Sequence, residues 1–273
     1  MECFEDEDEI EDDGGGVYSG RVCEKGYEVH LMRAEQAGPG YITGDKAAYV
    51  RDMFAGIARR YDLLNSVLSF NQHKAWRRYA VRLAGVRAGD SALDVCTGTG
   101  DFAIDLAGAV GSTGRVVGSD FCRPMVELAK SKIQNPESKI DLMVADALEL
   151  PYRSGQFDCV TVGFGIRNVA DVQRAFDEMA RVARSGGRVV CLEFNRPRNR
   201  FLRPIVMFYE SRILPVIGGL LSRREAYTYL QKSIQAFHSR EELCEMMTKA
   251  GLGDIRVVDL NLGSVCIHIG TKQ

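Results

Sequence analysis

Three carboxylates, Asp94, Asp120 and Asp146, punctuate the ends of short apolar runs in this 273-residue chain. After the first comes a Thr-Gly-Thr-Gly turn at residues 97–100, then a helical pattern that starts at Asp101. Strand, glycine turn and helix N-terminus together form the nucleotide-facing corner of a doubly wound α/β fold. Gly98 and Gly100 suit such a turn because a Cβ would block a ligand's close approach to the backbone. Asp120 follows Gly100 by 20 residues, where an acid in such folds accepts from both hydroxyls of a ribose. Asp146 can accept from an exocyclic adenine amine while the Ala147 N–H donates to the ring. Asp94 stands at the turn itself.

The acids discriminate between ligands. Residues 98–103 match G-x-G-x-x-A, so an NAD-type dinucleotide-binding oxidoreductase is one reading. A pyrophosphate at the helix N-terminus is anionic, however, and Asp94 and Asp101 beside it would repel it. S-adenosyl-L-methionine has an adenosine for Asp120 and Asp146, an ammonium and a sulfonium, and no phosphate. It is the cofactor these residues favour. Asp101 has a second reading as a helix cap.

The elements that must hold these groups follow from the pattern. Apolar runs at 92–96, 115–119, 140–144, 159–163 and 188–194 alternate with helical spacing at 101–109, 123–133 and 171–183. Alternation of that length predicts a parallel sheet with right-handed crossovers. Helical periodicity also starts near Asp45 and again over residues 72–84. Residues 197–250 read as mostly helical, interrupted by Pro204 and Pro215. Two final strands, at 255–260 and 264–270, are joined too closely for a parallel crossover and should be antiparallel.

Charge is unevenly spread. Residues 1–44 hold 12 acids and 3 bases, and the remainder 25 acids and 32 bases. The first 16 residues lack the apolar content to offset ordering, so the N-terminal stretch of 1–44 is expected to be an acidic, largely disordered tail. It matches neither a secretory signal nor an Arg-rich transit peptide. A basic body fits an anionic ligand or membrane surface. None of the eight cysteines forms a CxxC pair, so free thiols in a reducing compartment are expected and no metal site. The longest apolar stretch, 213–221, is too short to span a bilayer.

Residues 94–100, Asp120 and the Asp146-Ala147 pair resemble the motifs of class I S-adenosylmethionine-dependent methyltransferases, with Cys96 where the first glycine usually stands. More specific is residues 61–76, YDLLNSVLSFNQHKAW. It is similar to the signature Y-D-x-M-N-x-x-aliphatic-S-x-x-x-H-x-x-W of the ubiquinone/menaquinone biosynthesis C-methyltransferases, departing only at Leu64. Residues 181–187 with Glu193-Phe-Asn195 resemble that family's R-V-x-K-P-G-G…E-x-S more loosely, departing at Arg184, Ser185 and Asn195. Residues 163–169 look like its loop after the fourth strand.

The resemblance covers about residues 45–271. It implies a Rossmann-like class I methyltransferase fold, an α/β architecture with a mostly parallel seven-stranded sheet and a C-terminal antiparallel strand pair, in one domain over 45–273. It implies carbon methylation of a polyprenylated quinol, with Thr99, Asp120, Asp146 and Ala147 contacting S-adenosyl-L-methionine; Asp94, Gly98 and Gly100 belong to the same site. A cytoplasmic enzyme with peripheral membrane contact is expected. No nucleic-acid partner is, and a homo-oligomer is compatible. Alternatives are a methyltransferase for another small hydrophobic phenol, or a binding protein that has lost catalysis.

Methylating a quinol carbon requires a phenolic oxygen to give up its proton, or be stabilised as phenolate, while the carbon meets the methyl group. In the family-like stretches, Arg167 could stabilise the phenolate or polarise a water. Tyr61 and His73 could take or relay the proton, and Asn65 and Asn168 could orient oxygens. Each also has a plain structural role open to it: Tyr61 as core, His73 packing beside Trp76, and Arg167 paired with Asp101 or Asp171. Residues 196–221, four arginines leading into a bulky apolar stripe, are read as part of a substrate lid spanning about 197–235. An ordinary amphipathic helix covering the sheet is the other reading.

Overall fold

The computed structural model describes residues 42–133, 139–197 and 224–273, with side chains described from residue 46 and, in the last stretch, from residue 229. All belong to one compact unit. The acidic tail and most of the expected lid, residues 198–223, lie outside the described residues.

The strands are β1 (Ser91–Val95), β2 (Arg115–Asp120), β3 (Ile140–Val144), β4 (Phe157–Gly163), β5 (Ala183–Phe194), β6 (Leu252–Leu260) and β7 (Val265–Lys272). The described helices are α1 (Ile42–Ile57), α2 (Tyr61–Leu68), α3 (Gln72–Ala84), α4 (Asp101–Val110), α5 (Arg123–Lys132), α6 (Val172–Val182), α7 (Arg224–Ala236) and α8 (Arg240–Lys249). One seven-stranded sheet runs in the order β3-β2-β1-β4-β5-β7-β6.

Helices cover both faces, so the central strands are apolar on both. Ala92, Cys159 and Val190 pack with Ala80 of α3 and Phe102 and Leu106 of α4. Their chain neighbours Leu93, Val160 and Val189 pack with Phe176 and Met179 of α6 and Leu243 and Met247 of α8. Parallel pairing of β1 with β2 and β4 brings the C-terminal ends of these strands to one edge. Asp94 and Asp120 therefore reach the same edge, and Asp146 lies just beyond the end of β3.

The closing pair is antiparallel, as its short link predicts, but only β7 is reversed. It lies between β5 and β6 and runs antiparallel to both. Residues Asn261–Gly263 form one 3-10 turn, too short for a crossover, so β7 must return directly alongside β6. The strand β5 starts earlier than its apolar run, because Ala183 pairs with Phe157 across a register shift.

Candidate active site

At the end of β1 the chain turns through Cys96, which has φ 56°. The turn is pinned by Thr97 N–H donating to Ser119 O (2.9 Å) and Gly100 N–H to Thr97 O (2.9 Å). Gly98 and Gly100 have φ 57° and 81°, a region that costs residues with a Cβ on the order of 1–2 kcal/mol. Their surroundings differ. Gly98 lines the ligand space, whereas a Cβ on Gly100 would meet Ile133 and Ala129 of the neighbouring segment. Gly100 thus shapes the turn and its packing and does not face a ligand.

The carboxylates at this edge are held by specific donors. Asp94, 1% exposed, accepts from Thr97 Oγ1 (2.6 Å) and Thr161 Oγ1 (2.9 Å). Burial raises its pKa to about 7, against the opposing effect of those hydroxyls. Asp120 accepts with both oxygens, from Gly98 N–H and Cys122 N–H at 2.9 Å each, and burial raises it to about 6. Asp146 accepts from Leu148 N–H (2.9 Å).

Asp101 neither caps α4, whose N-cap is Gly100 without a side-chain bond, nor stands as a bare charge. It pairs with Arg77 (2.9 Å) and closely with Lys132. The repulsion of a pyrophosphate therefore falls to Asp94 and Asp120. Thr99 Oγ1 donates to Asp62 Oδ1 (2.6 Å), whose other oxygen accepts from Lys132 (2.8 Å). The family-like segment is thereby tied to the turn.

Two cavities meet here. The smaller, about 90 Å³, is bounded by Asp120, Asp146, Ala147, Phe121 and Leu148. The larger, about 490 Å³, is bounded by Asp94, Thr99, Asn65, His73, Arg167 and many apolar side chains. Phe54, Tyr61, Cys96, Gly98, Gly163 and Phe164 border both. All the catalytic candidates, Tyr61, Asn65, His73 and Arg167, thus converge on the larger space.

Their chemistry there is now specified. Arg167 pairs with neither Asp101 nor Asp171. Its Nη1 donates to Glu193 Oε1 (2.8 Å) and Phe164 O (2.5 Å), and its guanidinium lies over the Phe194 ring. Asp171 instead caps α6, accepting from Arg174 N–H. Arg167 Nε is buried without a hydrogen-bond partner, while Glu193 is fully buried. Burial pushes the Glu193 carboxyl up and the guanidinium opposes that shift. His73 does not titrate near neutrality: burial and then Arg77 lower it to about 4, and its Nδ1 lies 2.7 Å from Ser69 Oγ. Burial raises the Tyr61 pKa, and the Asn65 side chain opposes that shift.

Other contributors were not singled out by sequence reasoning as site residues. Glu193 was visible only within the loose second signature, and its partner is set by tertiary contact. Tyr229 of α7 donates to Asn168 Oδ1 (3.1 Å). Lys46 of α1 donates to Val169 O (2.8 Å), fastening α1 across the loop after β4. Each is far in sequence from the group it holds.

Cys96 makes a local test. A Cβ added at Gly165 would lie 2.4 Å from Cys96 Cβ, and a Cβ cannot rotate away. Gly165→Ala is expected to destabilise the protein by about 1–3 kcal/mol through overpacking. Cys96→Gly should suppress most of that loss in a denaturation double-mutant cycle; strict additivity would rule out the contact as the cause.

A parallel sheet with one reversed strand, a glycine turn after β1, and acids at three strand ends define a class I methyltransferase architecture. An S-adenosylmethionine-dependent methyltransferase of Thermotoga maritima shares the fold at 20% identity and a TM-score of 0.58, over 82% of this chain and 100% of that one. The chain matches the ubiE/COQ5 methyltransferase family over residues 42–272 and belongs to that family. It is 41% identical to the demethylmenaquinone methyltransferase of Alkalihalophilus pseudofirmus over 85% of this chain and 99% of that protein. It is 42% identical to the demethylmenaquinone methyltransferase of Bacillus cereus, over 83% and 97%.

Proposed function

We propose that the protein transfers a methyl group from S-adenosylmethionine to a ring carbon of demethylmenaquinol, giving menaquinol, through a single domain that starts near residue 45. The observation that carries this reading is the shared wall between an acid-lined space at the strand ends and an apolar cavity with a buried arginine on its side. The residues present fit the cofactor. Asp120 takes the ribose hydroxyls, Asp146 and Ala147 take the adenine edge, and Gly98 leaves the backbone open. Asp94 and Thr99 belong to the same side of the turn. The cofactor supplies an electrophilic methyl on a positively charged sulfur.

The chain's own groups prepare the acceptor. With the phenolic proton released, the ring carbon would take the methyl as its bond to sulfur breaks; the carbon's hydrogen then leaves as a proton and the oxygen regains one, so the aromatic quinol is restored with one net proton released. Arg167 Nε is the donor for the developing phenolate, and Glu193 holds the guanidinium in place. Tyr61, with its pKa raised, keeps its proton at neutral pH and serves as a hydrogen-bond donor. His73 is neutral at that pH, and Asn65 orients Tyr61. Asn168, held by Tyr229, flanks Arg167.

The buried acids predict a pH dependence. A cationic ligand requires ionised carboxylates, and Asp94 and Asp120 titrate at about 7 and about 6. S-adenosylmethionine affinity should approach its full value at about pH 8 and fall as pH drops through the two pKa values, by up to about tenfold per unit for each acid below its pKa. Calorimetric titration from about pH 8 to about pH 5.5 reads this directly. A flat profile would contradict the role of these acids.

Methyl transfer itself is tested with labelled S-adenosylmethionine and a short-chain demethylmenaquinol, beside a ubiquinone-pathway precursor, under reducing conditions. Label on a ring carbon of demethylmenaquinol, lost in Asp120→Ala, supports the proposal. Label only on the other quinol would reassign the substrate.

A further inference from the structure

Among the described residues, five large hydrophobic side chains are exposed; Phe70 borders the larger cavity, and Leu63 and Leu262 are chain neighbours of Leu64 and Asn261, which border it. Phe70 is 70% exposed, Leu262 66% and Leu63 55%. Phe70 and Gln72 border the cavity from the turn between α2 and α3; Asn261 and Ser264 border it from the turn between β6 and β7. The two turns share one end of the sheet. Helix α3 runs along β5, with Arg188 midway along the strand donating to Leu83 O and Ala84 O near the helix end. Trp76 near the helix start stacks on Phe164, which stacks on Phe194 at the strand's end. Phe194 pairs with Val265, just after the second turn.

Both turns are built in a way that burial and backbone preference do not explain. Phe70 and Asn71 have φ 51° and 60°, and Asn261 and Leu262 have φ 46° and 58°. Side chains with a Cβ rarely adopt this region, and neither Phe70 nor Leu262 offsets the strain by burying its apolar surface. The flanking charge has one sign. Helix α3 contains no acid, and its Lys74 and Arg78, one turn apart in the first half of the helix that follows Phe70, are exposed. Arg59, just before α2, is also exposed. The acids bordering the patch in sequence are engaged: Asp62 with Lys132, and Asp259 with Arg240.

We propose that the two strained turns, with Leu63, form a rim that docks on an anionic bilayer. Phe70 and Leu262 enter the headgroup boundary while Lys74, Arg78 and Arg59 face lipid phosphates. Apolar wedges flanked by cations are the chemistry of an interfacial anchor. The purpose assigned to the rim, opening the cavity to a membrane-held prenyl tail, rests on the quinol reading above; the docking itself does not. Docking places the cavity mouth against the membrane, so a tail can stay in lipid while its ring enters.

The test is co-sedimentation of the full chain with vesicles of phosphatidylcholine containing phosphatidylglycerol, and with phosphatidylcholine alone. The wild type should bind the anionic vesicles and release them as salt rises. Leu63→Ser/Phe70→Ser/Leu262→Ser should weaken binding by about tenfold or more; Lys74→Gln/Arg78→Gln should weaken it and flatten the salt dependence. S-adenosylhomocysteine affinity serves as the check that each variant is folded. Vesicle binding by the folded triple variant equal to wild type overturns the proposal. So does a change in its sedimentation mass without a change in vesicle binding, which would mark the rim as a contact between copies. Methylation of a saturating short-chain demethylmenaquinol, dispersed in detergent without vesicles, is measured in parallel. If the wild type fails there but binds vesicles through the rim, the quinol reading falls and the docking surface stands.

Discussion

Arg167→Ala should lose methyl transfer and stability together. Arg167 and Glu193 form a pair with side chains 7% and 0% exposed. Removing one partner leaves a buried charge without compensation, a loss of about 3–5 kcal/mol. Without the guanidinium, only the backbone N–H groups of Phe194 and residue 167 oppose the desolvation of Glu193, and its carboxyl shifts further toward the protonated form. Turnover should fall by about 10²–10³, the scale for losing one donor to a developing oxyanion. The two effects separate in Arg167→Met/Glu193→Leu, which replaces the pair by apolar groups. That variant should recover most of the stability and none of the activity. Urea denaturation, with turnover at saturating S-adenosylmethionine, reads both. If the double variant regained turnover with its stability, Arg167 would be structural and the phenolate role would be lost.

Asp120→Ala is expected to weaken S-adenosylmethionine binding by about 10²-fold or more, because hydrogen bonds to a charged acceptor contribute about 1.5–3 kcal/mol each. The comparison with Asp120→Asn is sharper. Both carboxylate oxygens already accept backbone N–H groups, one from Gly98 and one from Cys122. An asparagine amide must point its NH2 at one of those donors whichever way it is turned. Donor then faces donor, and the turn after β1 loses part of its support. Asp120→Asn should therefore bind nearly as poorly as Asp120→Ala, which calorimetry can measure. Binding by the asparagine variant close to wild type would show that the carboxylate serves the ribose alone and does not also shape the turn.

The candidate site was legible to different degrees in different places. The helix over residues 72–84 has the bounds its periodicity gives, because α3 buries one face and exposes the other. The central strands were readable because a strand covered on both sides must be apolar throughout. The early start of β5 was not, since Ala183 pairs with Phe157 through its backbone ahead of a register shift, and the residues up to Gly187 leave no hydrophobic signature. Asp101 looked like a cap or a charge near the ligand. Its true partners, Arg77 and Lys132, come from two helices distant in the chain. Arg167 stood out by its position after a strand, but the two acids offered as its partners, Asp101 and Asp171, were both wrong, and the fold selected Glu193.

By itself, the sequence determined the order of elements, the glycine turn, the three acids and the family signature. These are local properties, set by side-chain period, backbone permissiveness and residue spacing. Only the tertiary structure decided which charges are neutralised, which are left to meet a ligand, and that β7 slots between β5 and β6. It also turned His73 from a group that titrates near neutrality into one that stays neutral, and set Phe70 and Leu262 at one rim. The physical reason is that pairing and desolvation depend on what lies across space, and the two turns of that rim are almost 200 residues apart in the chain but share one end of the sheet.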